Sequence, residues 1–270
     1  MMALRPYVAL FRVRVVHAIQ YRFSALGGVV THFAWGAMLI LAFHAFYQSN
    51  PDNFPMTMGQ TVTFIWLQQA FLALFMVWLY DNSIFESIAR GDIAYDLVRP
   101  MDMFTRWFTT SAANRVSRVV VRCLPMLVIG FVLPANFRMA LPGSVWQFGL
   151  FAISLVLSLL VVVSFTMLVY ISAFYTLESS GTRMIAAMAG DFLAGGLVPV
   201  AFFPDGFRQV AEWLPFASMQ NTPLMIFVGA FEGADATQAM LKQLMWIGIM
   251  VGLGRLWMGR AMKRVITQGG

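Results

Sequence analysis

Asp191, Arg115, Arg118 and Arg122 are charged residues set in apolar runs, where an ionisable side chain is costly and usually faces protein or water. The three arginines share one helical face through their i, i+3, i+7 spacing. One reading joins Asp191 to one of them in an ion pair that breaks during a working cycle. The simpler reading, preferred on sequence, lets the arginines reach up to headgroups and leaves Asp191 near water. Gly195, Gly196 and Pro199, followed by Pro204, can break a helix so that it lines a pathway, or can serve close packing alone. Gln68 and Gln69 read as hydrogen-bonding groups between helices. His17, His32 and His44 are dispersed, and the last two lie too far apart along one helix to share a metal; helix hydrogen bonding is their expected role. There is no GxxxxGK[ST] loop, HExxH, paired CxxC or GxSxG. No catalytic constellation and no metal site is expected, and the single cysteine, Cys123, excludes an intrachain disulfide.

The elements that must carry these residues follow from composition. In 270 residues, 60% are hydrophobic and 11% charged, against roughly 45–50% and about 25% in soluble domains. One soluble core cannot hide that excess, so the chain is expected to be an all-α polytopic membrane protein. The net charge of +6 is explained by orientation and anionic headgroups rather than by nucleic acid, since no basic run interleaved with aromatics occurs. No cleavable signal peptide is evident in the first twenty residues.

Residues 4–22 alternate Arg5, Arg12, Arg14 and Arg22 with Tyr, Phe, Val and Ile, the pattern of an interfacial amphipathic helix. Six spans are expected at about 20 residues each: 25–46, 61–80, 108–133, 148–175, 184–203 and 240–262, forming one transmembrane domain over 1–270. The third is apolar over 119–133 alone and needs a helix that begins earlier. Fifteen of the eighteen Lys and Arg residues fall on the side that also holds both termini; Arg138, Arg208 and Lys242 fall on the other. Positive segments stay cytoplasmic, so both ends are expected there. The cytoplasmic loop 81–117 has helical character. In the outer loop 204–239, the apolar stretch 224–231 is too short to span and suits a re-entrant or interfacial helix. No three-plus-three inverted repeat is visible, which leaves the common secondary-transporter layout without support.

Within the cytoplasmic loop, residues 86–100 read ESIARGDIAYDLVRP. Gly91 ends one short helix, Ile93 and Leu97 recur at i, i+4, and Pro100 stops the next. A short amphipathic helix between two spans can dock a soluble partner, although by composition it could equally be a solvated linker.

The string RGDIAYDLVRPMD resembles the G-[DE]-I-x-x-x-L-x-R-P loop of permease subunits of type-2 ABC exporters, in a branch that comes as permease pairs. The run GGLVPVAFFPDGFRQVAEWLPF (195–216) is similar to that branch's G…P…FP…LPF pattern, and the tail RAMKRVITQGG (260–270) resembles its basic, QGG-ending terminus. The three matches lie in order and the layout covers nearly the whole chain. The resemblance implies a six-span permease subunit of the bacterial inner membrane without its own nucleotide site. It would pair with a second permease chain as a heterodimer, a homodimer being the other arrangement. Two copies of a separate ATPase, which binds ATP and Mg, would dock beneath. Glu86, Gly91, Asp92, Tyr95, Leu97, Arg99 and Pro100 would form or position the coupling contact. Asp191, Arg118, Arg122, Gly195, Gly196 and Pro199 would lie near the pathway or its gate. Export direction comes from the resemblance alone. The competing readings are an intramembrane lipid-modifying enzyme, which needs convergent polar residues beyond this group, and an ion-coupled transporter.

Overall fold

The computed structural model describes residues 5–20, 22–49, 54–93, 101–176 and 178–263, with no account of the side chains of 17–26. Tyr95, Leu97, Arg99, Pro100 and the tail from 264 lie outside the described residues. Among the described residues there are ten α-helices and no strand. In chain order they are α1 (Arg5–Gln20), α2 (Arg22–Ser49), α3 (Met58–Phe75), α4 (Asn82–Arg90), α5 (Met103–Val132), α6 (Val145–Ser172), α7 (Ser180–Leu193), α8 (Asp205–Trp213), α9 (Asn221–Phe227) and α10 (Gly233–Met262).

The starts of several helices are written in side chains. Thr57 and Gln60 form a reciprocal capping box at α3. Asp81 caps α4 through the Ser83 N–H at 3.1 Å, Asp102 caps α5 through Thr105 at 2.8 Å, and Ser144 caps α6 through Gln147 at 3.1 Å. Among the described residues three helices are long and apolar enough to cross a membrane, 27–49 within α2, α6 and α10. At 1.5 Å per residue the 30-residue α5 is about 45 Å long. It begins at Met103, which supplies the earlier start that the third expected span required.

Two expected spans are shaped differently from a simple rod. The 61–80 segment leaves the helix after Phe75, and residues 76–81 form an elbow into α4. The 184–203 segment is helical only to Leu193, then turns through a three-residue 3-10 helix at Val200–Phe202. The last helix begins at Gly233 rather than 240, with Asp235 in its first turn, where a carboxylate suits the helix dipole.

The core has two main centres. At one end Val62, Phe64, Trp66, Met126, Phe151 and Leu224 pack together, drawing on α3, α5, α6 and α9. The indole N–H of Trp66 donates to the Phe137 carbonyl at 2.9 Å, and Phe33 of α2 stacks on its ring. At the other end, Ile84 and Phe85 of α4 pack with Trp107 of α5, Tyr170 of α6 and Met258 of α10. α1 runs against α5 through a half-buried stripe at Tyr7, Leu10, Phe11 and Val15, leaving Arg5, Arg12 and Arg14 exposed. The Tyr7 hydroxyl accepts from the Asp102 N–H at 3.0 Å.

Candidate functional site

α4 lies on the end of the helical bundle because its sequence has two unlike faces. Ile84 and Phe85 are buried and Ile88 is half-buried, whereas Ser83, Glu86 and Arg90, at i, i+3, i+7, are exposed. Gly91 closes the helix with φ of +76°, a conformation glycine adopts without steric cost. Ile93 then turns back into the core at 1% exposure, while Asp92 stays outside. Arg183, in the first turn of α7, donates to the Asn82 side-chain oxygen at 3.2 Å and lies 4.5 Å from the Phe85 ring centroid. Between α4, the segment after α6 and the start of α7 is an open cleft of 590 Å³, whose lining includes Glu86, Gly91, Glu178 and Arg183.

The elbow above α4 is held by a charged side chain that has no carboxylate partner among the described residues. Arg115 is 1% exposed. Its guanidinium donates to the carbonyls of Leu74 (3.3 Å), Met76 (2.5 Å) and Leu79 (3.1 Å), and to the Thr166 hydroxyl (3.0 Å). Carbonyls at the end of a helix have no intrahelical donor, and the planar guanidinium fork reaches several at once. The Tyr170 hydroxyl accepts from the Asp81 N–H at 2.7 Å, and its ring packs 5.1 Å from Phe85 and 5.9 Å from Trp107. The junction between α3 and α4 is thus gripped from α5 by Arg115 and from α6 by Tyr170.

The arginine stripe therefore divides by environment. Arg118 is exposed, as a cation reaching outward would be. Arg122 is half-buried against α2, where a Cβ added at Gly28 would stand 3.0 Å from its Cζ. Arg115 does not reach for headgroups; it turns into the protein. No ion pair joins Asp191 to any of the three among the described residues.

Asp191 belongs instead to the end of α7. The Gly196 N–H donates to its carbonyl at 2.8 Å and the Gly195 N–H donates to Phe192 at 3.1 Å, with Gly195 at φ of +86°. This paired pattern is a Schellman motif. The freed backbone beyond it is met by two amides: Gln68 of α3 donates to Gly196 at 2.5 Å and Gln220 donates to Gly195 at 3.0 Å. Gln69 contacts His32 of α2 at 3.4 Å. Gln68 and Gln69 do serve as links between elements.

The residues singled out on sequence thus fall in two places. Glu86, Gly91 and Asp92 are at the α4 end, whereas Asp191, Gly195, Gly196 and Pro199 are at the α7 break. Tyr170, Thr166 and Gln220 were not anticipated, because a polar residue set among apolar ones has no spacing that announces its partner. Arg115 was visible in the stripe but was not placed in the pathway set with Arg118 and Arg122. Chemically the α4 site is mechanical: an anchored helix with one polar face free beside a cleft, linked through hydrogen bonds to α3, α5 and α6.

Comparison with curated proteins gave no match. Residues 33–269 match the family described as ABC-2 family transporter protein. That span takes in both the α4 site and the α7 break, and the chain belongs to this family: it is a multi-pass membrane permease subunit of an ABC transporter.

Proposed function

We propose that this permease moves its substrate out of the cytoplasm, driven by a separate ABC ATPase that seats on the exposed face of α4. The observation that carries this reading is the anchoring of α4 by Ile84 and Phe85 while Ser83, Glu86 and Arg90 remain exposed beside the 590 Å³ cleft. Family membership supports an ABC ATPase as the partner in general terms. Glu86, Gly91 and Asp92, continued by Tyr95, Leu97, Arg99 and Pro100, form the contact. ATP and Mg bind the partner.

Six spans give the charge distribution a simple meaning: α2, α3, α5, α6, α7 with the segment that follows it, and α10, in the inner membrane. Fifteen of eighteen Lys and Arg then lie on the cytoplasmic side with both termini. α1 is interfacial, and the stretch through α8 and α9 is the outer re-entrant element. The full assembly has two permease chains, a heterodimer with a related chain, and two ATPase copies. The α7 break, with Asp191, Gly195, Gly196 and Pro199, together with Arg118 and Arg122, flanks the substrate path. Closure of the ATPases moves α4, and the permease interface rearranges with it.

Co-purification tests the docking. An ATPase is expected to accompany the wild-type chain and to be lost when residues 91–97 are replaced by a flexible linker. Full coupled transport by the linker variant would sink the assignment of α4 and its continuation.

A further inference from the structure

At the end of the molecule opposite α4, the groove between α3, α5 and α6 is apolar and open, with a volume of 740 Å³. Phe71, Leu127, Phe131, Phe148, Phe151 and Leu155 contribute its walls. Along α6 it runs from Val145 to Leu155, about 15 Å at the helical rise. A bilayer hydrocarbon core is about 30 Å thick, so the groove is one leaflet deep, measured from the start of a helix with a mean hydropathy of 2.7. Val145 and Phe148 face outward at its mouth. A cavity of this character at this depth suits a hydrocarbon chain, because water gains no partners there.

A second pocket, of 260 Å³, adjoins the groove and shares Leu141 and Phe227 with it. Here the lining turns polar, with Gln60, Thr63, Gln147 and Glu232. Most of that polarity is already committed. Gln60 donates to the Val228 carbonyl at 3.1 Å, and Gln147 donates to Ile226 and Phe227, each at 2.8 Å. Their amide oxygens accept from the N–H groups of Thr57 and Gly143. The Thr63 hydroxyl donates to Gly59 and accepts from Ala140. The one ionisable lining residue is Glu232, whose carboxylate can only accept.

We propose that the groove and pocket together hold a membrane lipid, with one tail along α6 and a primary-amine headgroup donating to Glu232. The tail matches the apolar walls and the single-leaflet depth, and the ammonium matches the one ionisable acceptor in the lining. A quaternary ammonium has no N–H to donate, and an anionic headgroup is repelled by the carboxylate. The inference uses the membrane placement of α6 but not the docking of an ATPase, so each can fail alone.

The test is intact-protein mass spectrometry of the full chain released from bilayers of phosphatidylethanolamine, phosphatidylcholine and phosphatidylglycerol in equal parts. The wild type is expected to retain one phosphatidylethanolamine, enriched about fivefold over phosphatidylcholine, the size of an exposed charged contact. Ala152→Trp, at an exposed groove-lining position, fills the groove and is expected to abolish retention. Glu232→Gln, at a surface position that leaves folding intact, is expected to keep a lipid but reduce the enrichment to near one. Gel-filtration profiles identify properly folded variants. Retention at the bulk lipid ratio by the wild type, retention unchanged in folded Ala152→Trp, or full enrichment in Glu232→Gln would each overturn the proposal.

Discussion

Arg115 shows how one buried cation can organise a membrane helix end with no counter-charge among the described residues. Three carbonyls and a hydroxyl accept hydrogen bonds from it, so removing it leaves buried and part-buried acceptors without their donor. Arg115→Met is expected to lower stability by about 3 kcal/mol, read as the unfolding midpoint in detergent. Arg115→Lys retains the charge but not the planar fork, and its stability should fall between the two. An Arg115→Met variant as stable as the wild type would show that the elbow holds itself. Glycine makes a second pair of predictions. Gly195→Ala meets the left-handed conformation of the α7 terminus and is expected to cost about 1 kcal/mol. Gly196→Ala should cost more, since its Cβ would stand 2.7 Å from the Asp191 Cγ and 2.8 Å from that residue's carbonyl oxygen. Equal thermal stability of the two variants would contradict this ordering.

At the scale of elements, α4 separates an anchoring face from an exposed polar one. Phe85→Ala removes a buried ring from the contacts with Tyr170, Tyr80 and Arg183 and is expected to destabilise the chain by about 3 kcal/mol. Glu86→Ala, on the exposed face, should leave the melting midpoint unchanged and weaken association with the ATPase in a pull-down. If both variants behave alike, the two faces do not have separate roles. The strong local signals were readable in advance: α6 from its unbroken apolar run and the end of α4 from Gly91, whereas the amphipathic spacing of Ile93 and Leu97 belongs to a further helix outside the described residues. The elbow at 76–81 was not. The stretch Leu72–Tyr80 is apolar throughout, and nothing in its side chains distinguishes the residues before Phe75 from those after. The helix stops there because a guanidinium contributed by residue 115 makes stopping affordable, and that contact is tertiary. The end of α7 carried its signal in Gly195 and Gly196, but glycine pairs also serve close packing, so sequence left both readings open.

For the whole molecule, the lone half-buried Cys123 makes orientation directly measurable. In a Cys123→Ser background, a cysteine at exposed Ser83 should react with an impermeant reagent only after cells are opened, and one at exposed Arg138 should react in intact cells. The reverse pattern would invert the proposed topology. The asymmetry of charge that predicts this outcome was plain in the sequence, as was membrane residence. The division of polar residues into elbow, α7 break and the pocket at Glu232 was not, because it depends on which helices become neighbours. The grip on residues 74–81 has a mechanical corollary. α4 hangs on no loose tether: displacing it strains the guanidinium link to α5, the phenol link to α6 and the Arg183 contacts with α7 together, so the load is shared among three helices from the start.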